Sequence, residues 1–278
     1  MTTIKFKYTV PVLYTTQLST NSTTCTIDEV PDTVTLWSGW VVSKPDERPK
    51  WAHRFGADKY GYWAAHDLTC VKTGKLVEIV FRYAPPGEFM MGATTQDSEQ
   101  WQKDRPRTRQ AIPKGFWIMT TKCTQAQYQA VMGTNPSHFS DPKRYPEHLQ
   151  HPVESVNWYD SDKFMKKLAE LFGLHPDMGR LPYEQEWEYV TRAGTADRTP
   201  NPGAELGDIA WYGENSNSQT HPVAQKLPNA LGLYDTIGLC YEWTCTPAQD
   251  YPLPQLTAES YYSGRAAAVA PVQFPAEE

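Results

Sequence analysis

Of the three stretches in this chain that carry helix signals, the longest runs only from Asn157 to Gly173. It opens on a capping pattern, Asn157 with Asp160 three residues on, and repeats apolar side chains at Phe164, Leu168, Leu171 and Phe172 before Gly173 stops it. That spacing predicts one buried stripe, with Lys163, Lys166 and Lys167 on a solvated face. A second helix is expected from Thr124, with Gln127 completing a capping box and Gly133 as the stop. The third lies within LPYEQEWEYVTRAGT, Leu181–Thr195, and ends at Gly194. A chain of 278 residues with helices this short, 17 glycines and 23 prolines must be built from turns and long ordered loops, not as a bundle.

Strand signals fill the first third. Thr33–Trp37 and Trp40–Val42 alternate polar and β-branched residues, and the Pro-bounded charged turn Lys44–Pro49 marks a boundary. We expect a β-rich N-terminal extension over residues 1–50 and a main domain over 51–278. Trp37, Trp40, Trp51, Tyr60, Tyr62 and Trp63 are too much apolar surface for a mobile tail, so the first 80 residues should pack on the core. Leu76–Tyr83 reads as a strand after the turn Thr73-Gly74-Lys75, and Glu88–Gly92 as a shorter one after Pro85-Pro86-Gly87.

Composition excludes several classes. A net charge of −6 gives no footprint for nucleic acid or an anionic membrane, and no apolar run approaches the roughly 20 residues a spanning helix needs. The N-terminal MTTIKFKYTVPVLYTT has no secretory leader pattern, and five cysteines at irregular spacing are not a disulfide framework, so a cytoplasmic location is expected. His138, His148 and His151 are candidate metal ligands, but Pro146 and Pro152 bracket the latter pair and argue for a surface loop. Glu184 and Glu188 share a helix face. Acid–base work is one reading; capping and dipole compensation is the other. No phosphate loop, nucleophile elbow or dinucleotide fingerprint is present.

The ordered set of short motifs is more specific. Pro85–Gly92 resembles the "PPGxFxMG" opening of the formylglycine-generating enzyme (sulfatase-modifying factor) family. Lys122–Tyr128 resembles its "EVTQAQY" helix start, Asn135-Pro136-Ser137 its "NPS", and His151–Trp158 its "PVENVSW". Leu181–Tyr189 is similar to "LPTEAEWEY", with Tyr183 where the family has Thr, which removes an N-cap. His221–Val223 and Pro228–Asp235 resemble "HPV" and "PNAWGLYD". The resemblance covers roughly residues 85–243. It implies an α+β, C-type-lectin-like fold with few regular elements and long ordered loops. It also implies that the segment 181–194 is structural, its aromatics packing and its carboxylates bonding loop backbone.

Two departures bear on function. The family's "GNVWEW" is here Gly238-Leu239-Cys240-Tyr241-Glu242-Trp243. Where the family can place calcium against this segment, Leu239 offers no side-chain oxygen. An upstream calcium site at Asp208 and Asn215 is the remaining candidate, against the plainer reading of loop-capping side chains. The family's active members carry two copper-binding cysteines in a final "RGGS" segment, which is not found in this sequence. Cys240 and Cys245 share the C-x4-C spacing of those thiolates but stand in a different segment, so copper is not expected there. We therefore expect a non-catalytic, lectin-like protein with no assigned catalytic residue or cofactor, binding a protein or small ligand. The alternative is an oxidase converting cysteine to formylglycine, if the chain is a fragment.

Overall fold

The computed structural model describes residues 26–197 and 199–257, so Cys25 and the first 25 residues lie outside it. Strands β1 (Thr33–Thr35) and β2 (Val41–Ser43) form an antiparallel ribbon with Val34 opposite Val42. Next come β3 (Arg54–Asp58), β4 (Gly61–Thr69) and β5 (Leu76–Ala84), a meander. Then β6 (Gly87–Met91) pairs with β7 (Thr108–Ile112) around the six-residue helix α1 (Glu99–Asp104). Strand β8 (Phe116–Met119) returns to the meander and pairs antiparallel with β5, giving the order β3-β4-β5-β8. Four helices follow: α2 (Gln125–Met132), α3 (Trp158–Leu171), α4 (Glu184–Arg192) and the single turn α5 (Leu206–Ile209). Beyond α5 the described chain is loop. The architecture is α+β, and among the described residues no helix is long and apolar enough to cross a membrane.

The three expected helices form for the expected local reasons. Thr124 Oγ1 accepts the Gln127 N–H at 3.2 Å while Gln127 Oε1 takes the Thr124 N–H, and Gly133 closes the helix at φ 79°. Asn157 and Asp160 make the same reciprocal pair at 3.0 and 3.1 Å. In α4, Tyr183 supplies no side-chain cap; Glu186 takes the Tyr183 N–H instead, at 2.8 Å.

One face assignment needs correcting. Phe164 and Leu168 are buried, but Leu171 is 48% exposed. The inward row steps by four, through Phe164, Leu168 and Phe172, with Met165 and Ala169 beside it. Leu171 falls one residue short of that row, at the edge of the stripe.

The apolar interior has two lobes. One joins Val30, Leu36 and Val42 to Phe55, Tyr62, Tyr189, Val190 and Leu231. Residues 26–50 are thus part of this core, and they are tied to it by Ser38 Oγ donating to Ala193 O at 2.7 Å. Trp37, by contrast, is 53% exposed and contributes little to that packing. The other lobe sets Leu68, Ile79 and Phe81 of the sheet against Tyr128, Val131, Phe164 and Leu168 of α2 and α3.

Long loops hold their shape because buried side chains satisfy their backbone. Asn229 donates to Val190 O (2.7 Å) and Thr191 O (3.1 Å), while its own oxygen accepts the Leu231 and Leu233 N–H groups at 3.0 Å each.

Candidate ligand-binding cleft

Strand β8 is four large apolar residues in a row, Phe116-Trp117-Ile118-Met119, all half-buried, at the end of its sheet. Among the described residues it has a strand partner on one side only, β5. The strand borders a cleft of about 560 Å³, which every residue from Lys114 to Cys123 lines. Helix α3 forms the facing wall through Phe164, Leu168 and Phe172. The floor is aromatic: Trp51 stacks on Phe172 at 5.1 Å and meets Phe81 and Trp117 edge-on at 4.9 and 6.0 Å. This size and apolar lining are those of a ligand pocket.

The third wall is the loop 240–243, and indoles hold it in place. Trp187 Nε1 donates to Glu242 Oε2 at 3.0 Å, Trp243 Nε1 to Val156 O at 3.0 Å and Trp158 Nε1 to Thr244 O at 2.9 Å. Gly238 precedes this loop at φ 75°, and a Cβ there would run into Trp211 O.

The carboxylates of α4 do not form an acid–base pair. Glu184 accepts the Tyr251 hydroxyl, and Arg105 Nη1 lies 3.6 Å away. Glu188 takes the Gly92 N–H at 2.9 Å and Arg192 Nε at 2.8 Å. Glu186, fully buried, receives Arg180 in a bidentate pair at 2.6 and 2.7 Å. Each carboxylate secures a different loop, as expected for a structural segment.

The histidines do not converge either. Among the described residues no three His, Cys, Asp or Glu side chains gather as a metal-binding group. His138 is exposed. His148 and His151 stand on and just after a single 3₁₀ turn, but the surface-loop expectation fails for His151, which is 5% exposed. Its Nδ1 lies 2.9 Å from Thr220 Oγ1, and burial, with help from His221 and His148, lowers its pKa to about 4.

Asp208 is exposed on α5. The Asn215 amide spans the loop, accepting the Tyr212 N–H at 2.7 Å and donating to Ala210 O at 3.0 Å. Beside them, Lys226 Nζ donates to Gly207 O at 2.6 Å.

Burial disfavours the thiolate at three of the four described cysteines. Burial pushes Cys240 and Cys245 each up to about 11, and Cys123 higher still. Cys240 sits by Lys122 and Glu242, Cys245 by Arg180 and Glu186. Copper(I) takes thiolates held together, and these two thiols have different charged neighbours, which fits it poorly. Calcium fits the 238–243 segment no better. Leu239 has no oxygen donor, and a lysine ammonium already bonds Glu242: Lys122 Nζ is 2.7 Å from Glu242 Oε2.

Sequence reasoning missed the cleft because it missed β8. The signal was there: a continuous apolar run of four, bounded by Gly115 and Thr120-Thr121, is how a short buried strand reads.

Fold and motifs together define the class. The family profile described as a sulfatase-modifying factor enzyme 1-like domain matches residues 77–271, and the chain belongs to this formylglycine-generating-enzyme-like family. Among relatives, it is 28% identical over 185 residues to the chaperone protein LppX of Paenibacillus barcinonensis, covering 48% of this chain and 64% of that one. It is 32% identical over 124 residues to the formylglycine-generating enzyme of Streptomyces coelicolor, covering 40% of this chain and 35% of the enzyme. The chain thus spans less than two thirds of either relative. Among solved structures, Treponema denticola variable protein 1 superimposes with a TM-score of 0.57 at 28% identity, over 69% of this chain and 80% of that one.

Proposed function

We propose that this protein is a non-catalytic, lectin-like member of its family and that the cleft beside β8 binds an extended polypeptide segment of a partner protein. The observation that carries this reading is the pairing of an apolar cleft with a sheet edge. An extended peptide added to β8 would complete the ladder with main-chain hydrogen bonds, while its alternate side chains entered the apolar floor. A small ligand could use the floor but would leave the strand's amides unused. The relative named as a chaperone protein supports a polypeptide as occupant. The aromatic floor supplies the buried contact that such anchors need. The protein is expected to work without crossing a membrane and without nucleic acid.

The second reading, cysteine oxidation to formylglycine, is favoured by relatives that bear that enzyme's name. Cys240 and Cys245 stand in a different segment from the family's copper-binding pair, which speaks against it. Two titrations separate the readings. An extended peptide with alternating apolar residues should change the protein's tryptophan fluorescence, and Ile118→Lys should abolish the change. A cysteine-containing sulfatase peptide, incubated with protein, copper, reductant and oxygen, should keep its mass. Conversion of its thiol to an aldehyde would replace the binding account with the catalytic one.

A further inference from the structure

Lys122 stands where the motif it resembles carries Glu, and it is buried, its side chain 6% exposed. A buried ammonium is costly unless carboxylates compensate it. Here Glu242 Oε2 lies 2.7 Å from Lys122 Nζ. Asp235, 1% exposed, is the second acidic group of this neighbourhood. Its Oδ2 accepts the Ala224 N–H at 2.8 Å, and its Oδ1 has no hydrogen-bond partner among the described residues. Burial raises the Asp235 carboxyl above its ordinary range, and the Ala224 N–H and the Lys122 charge pull the other way. The intervening Leu239 sits in the left-handed region at φ 63°, a conformation Asn adopts more readily than Leu.

From these positions we infer that the Lys122 ammonium does the work of a bound cation, holding the loop 235–243 against the segment between β8 and α2 with no divalent metal. One positive centre, already bonded to Glu242, offsets the charge of that carboxylate. A calcium ion arriving there would meet like charge and find too few oxygens. Two residues carry the exchange: Lys122 brings the charge, and Leu239 removes a donor. The inference concerns how one wall of the cleft is fixed, and it holds whatever the cleft binds.

The test is thermal melting of the full chain in an Asp208→Ala background, so that calcium held at that position cannot contribute. The parent should melt at the same temperature in chelator and in calcium. Lys122→Gln removes the ammonium and should lower the melting temperature, with part of the loss restored by calcium. Lys122→Glu with Leu239→Asn should respond to calcium more strongly. If that double variant is unfolded in chelator, recovery of its circular dichroism on adding calcium is the same result. Lys122→Arg should behave as the parent. Calcium stabilisation of the parent, or a Lys122→Gln protein that melts like the parent and ignores calcium, overturns the inference.

Discussion

Two aromatic clusters flank α4, and they end differently. On one side Tyr189 meets Trp40 edge-on at 5.1 Å and Phe89 at 5.3 Å, and its hydroxyl donates to Pro85 O at 3.1 Å. The segment carrying β1 and β2 lies over that cluster, with Val42 and Leu36 almost fully buried, and leaves a smaller cleft of about 350 Å³ beside Trp40 and Phe89. On the other side Trp51, Phe81, Trp117 and Phe172 make a cluster of similar chemistry that lines the cleft of about 560 Å³. Aromatic content is the same kind of material in both. What distinguishes the second is the apolar edge strand β8 beside it, in the larger of the two clefts. An apolar edge strand left open is an aggregation hazard in a protein that makes no use of it. That is the physical reason to read the cluster beside β8 as a binding surface.

The largest expected effect falls on the ion pair at the start of α4, between the two clusters. Arg180→Ala strips the guanidinium from the fully buried Glu186 and should cost about 3–5 kcal/mol, measured by denaturant unfolding. A loss under about 1 kcal/mol would mean that Glu186 is carried by its other partners and that α4 does not depend on this pair.

Next comes the wall of the cleft. Leu168→Ala should cost about 2–5 kcal/mol, because the side chain is 2% exposed. Leu171→Ala, three residues on, should change stability by no more than about 0.5 kcal/mol. Equal effects at the two positions would show that the inward face of α3 has been drawn wrongly.

A smaller effect separates the buried histidine loop from both clusters. His151 has its pKa lowered to about 4 by burial, against an ordinary value near 6.5. The unfolded chain therefore binds the proton more readily than the folded one between those values. Its contribution to stability is complete above about pH 6.5 and is lost as pH falls toward 4. Melting temperatures across that range should drop less steeply in His151→Gln than in the parent. Parallel curves would remove His151 from the acid response.

What could be read from the sequence was local. The capping boxes at Thr124 and Asn157 need only residues three apart, so the starts of α2 and α3 follow from the chain itself. The ordered motifs carried the family, and the family carried the structural role of α4. Tertiary facts were less accessible. Leu171 fits a helical stripe as well as Leu168 does until the facing sheet selects the row that includes Phe172. His151 lies in a proline-bracketed segment that reads as surface, and only the approach of Thr220, 69 residues away, buries it. The Lys122–Glu242 pair spans 120 residues of sequence and leaves no periodic trace. The cleft depends on which strand ends the sheet, and no pattern within β8 states that.

On this proposal the edge of β8 accepts an extended polypeptide. Amide hydrogen exchange measured on the full chain tests it directly, without and with an apolar extended peptide that lacks cysteine. Outward-facing amides of residues 116–119 should exchange fast in the free protein and slow markedly when the peptide is added. Slow exchange at those amides before any peptide is present, or no change on its addition, would contradict it.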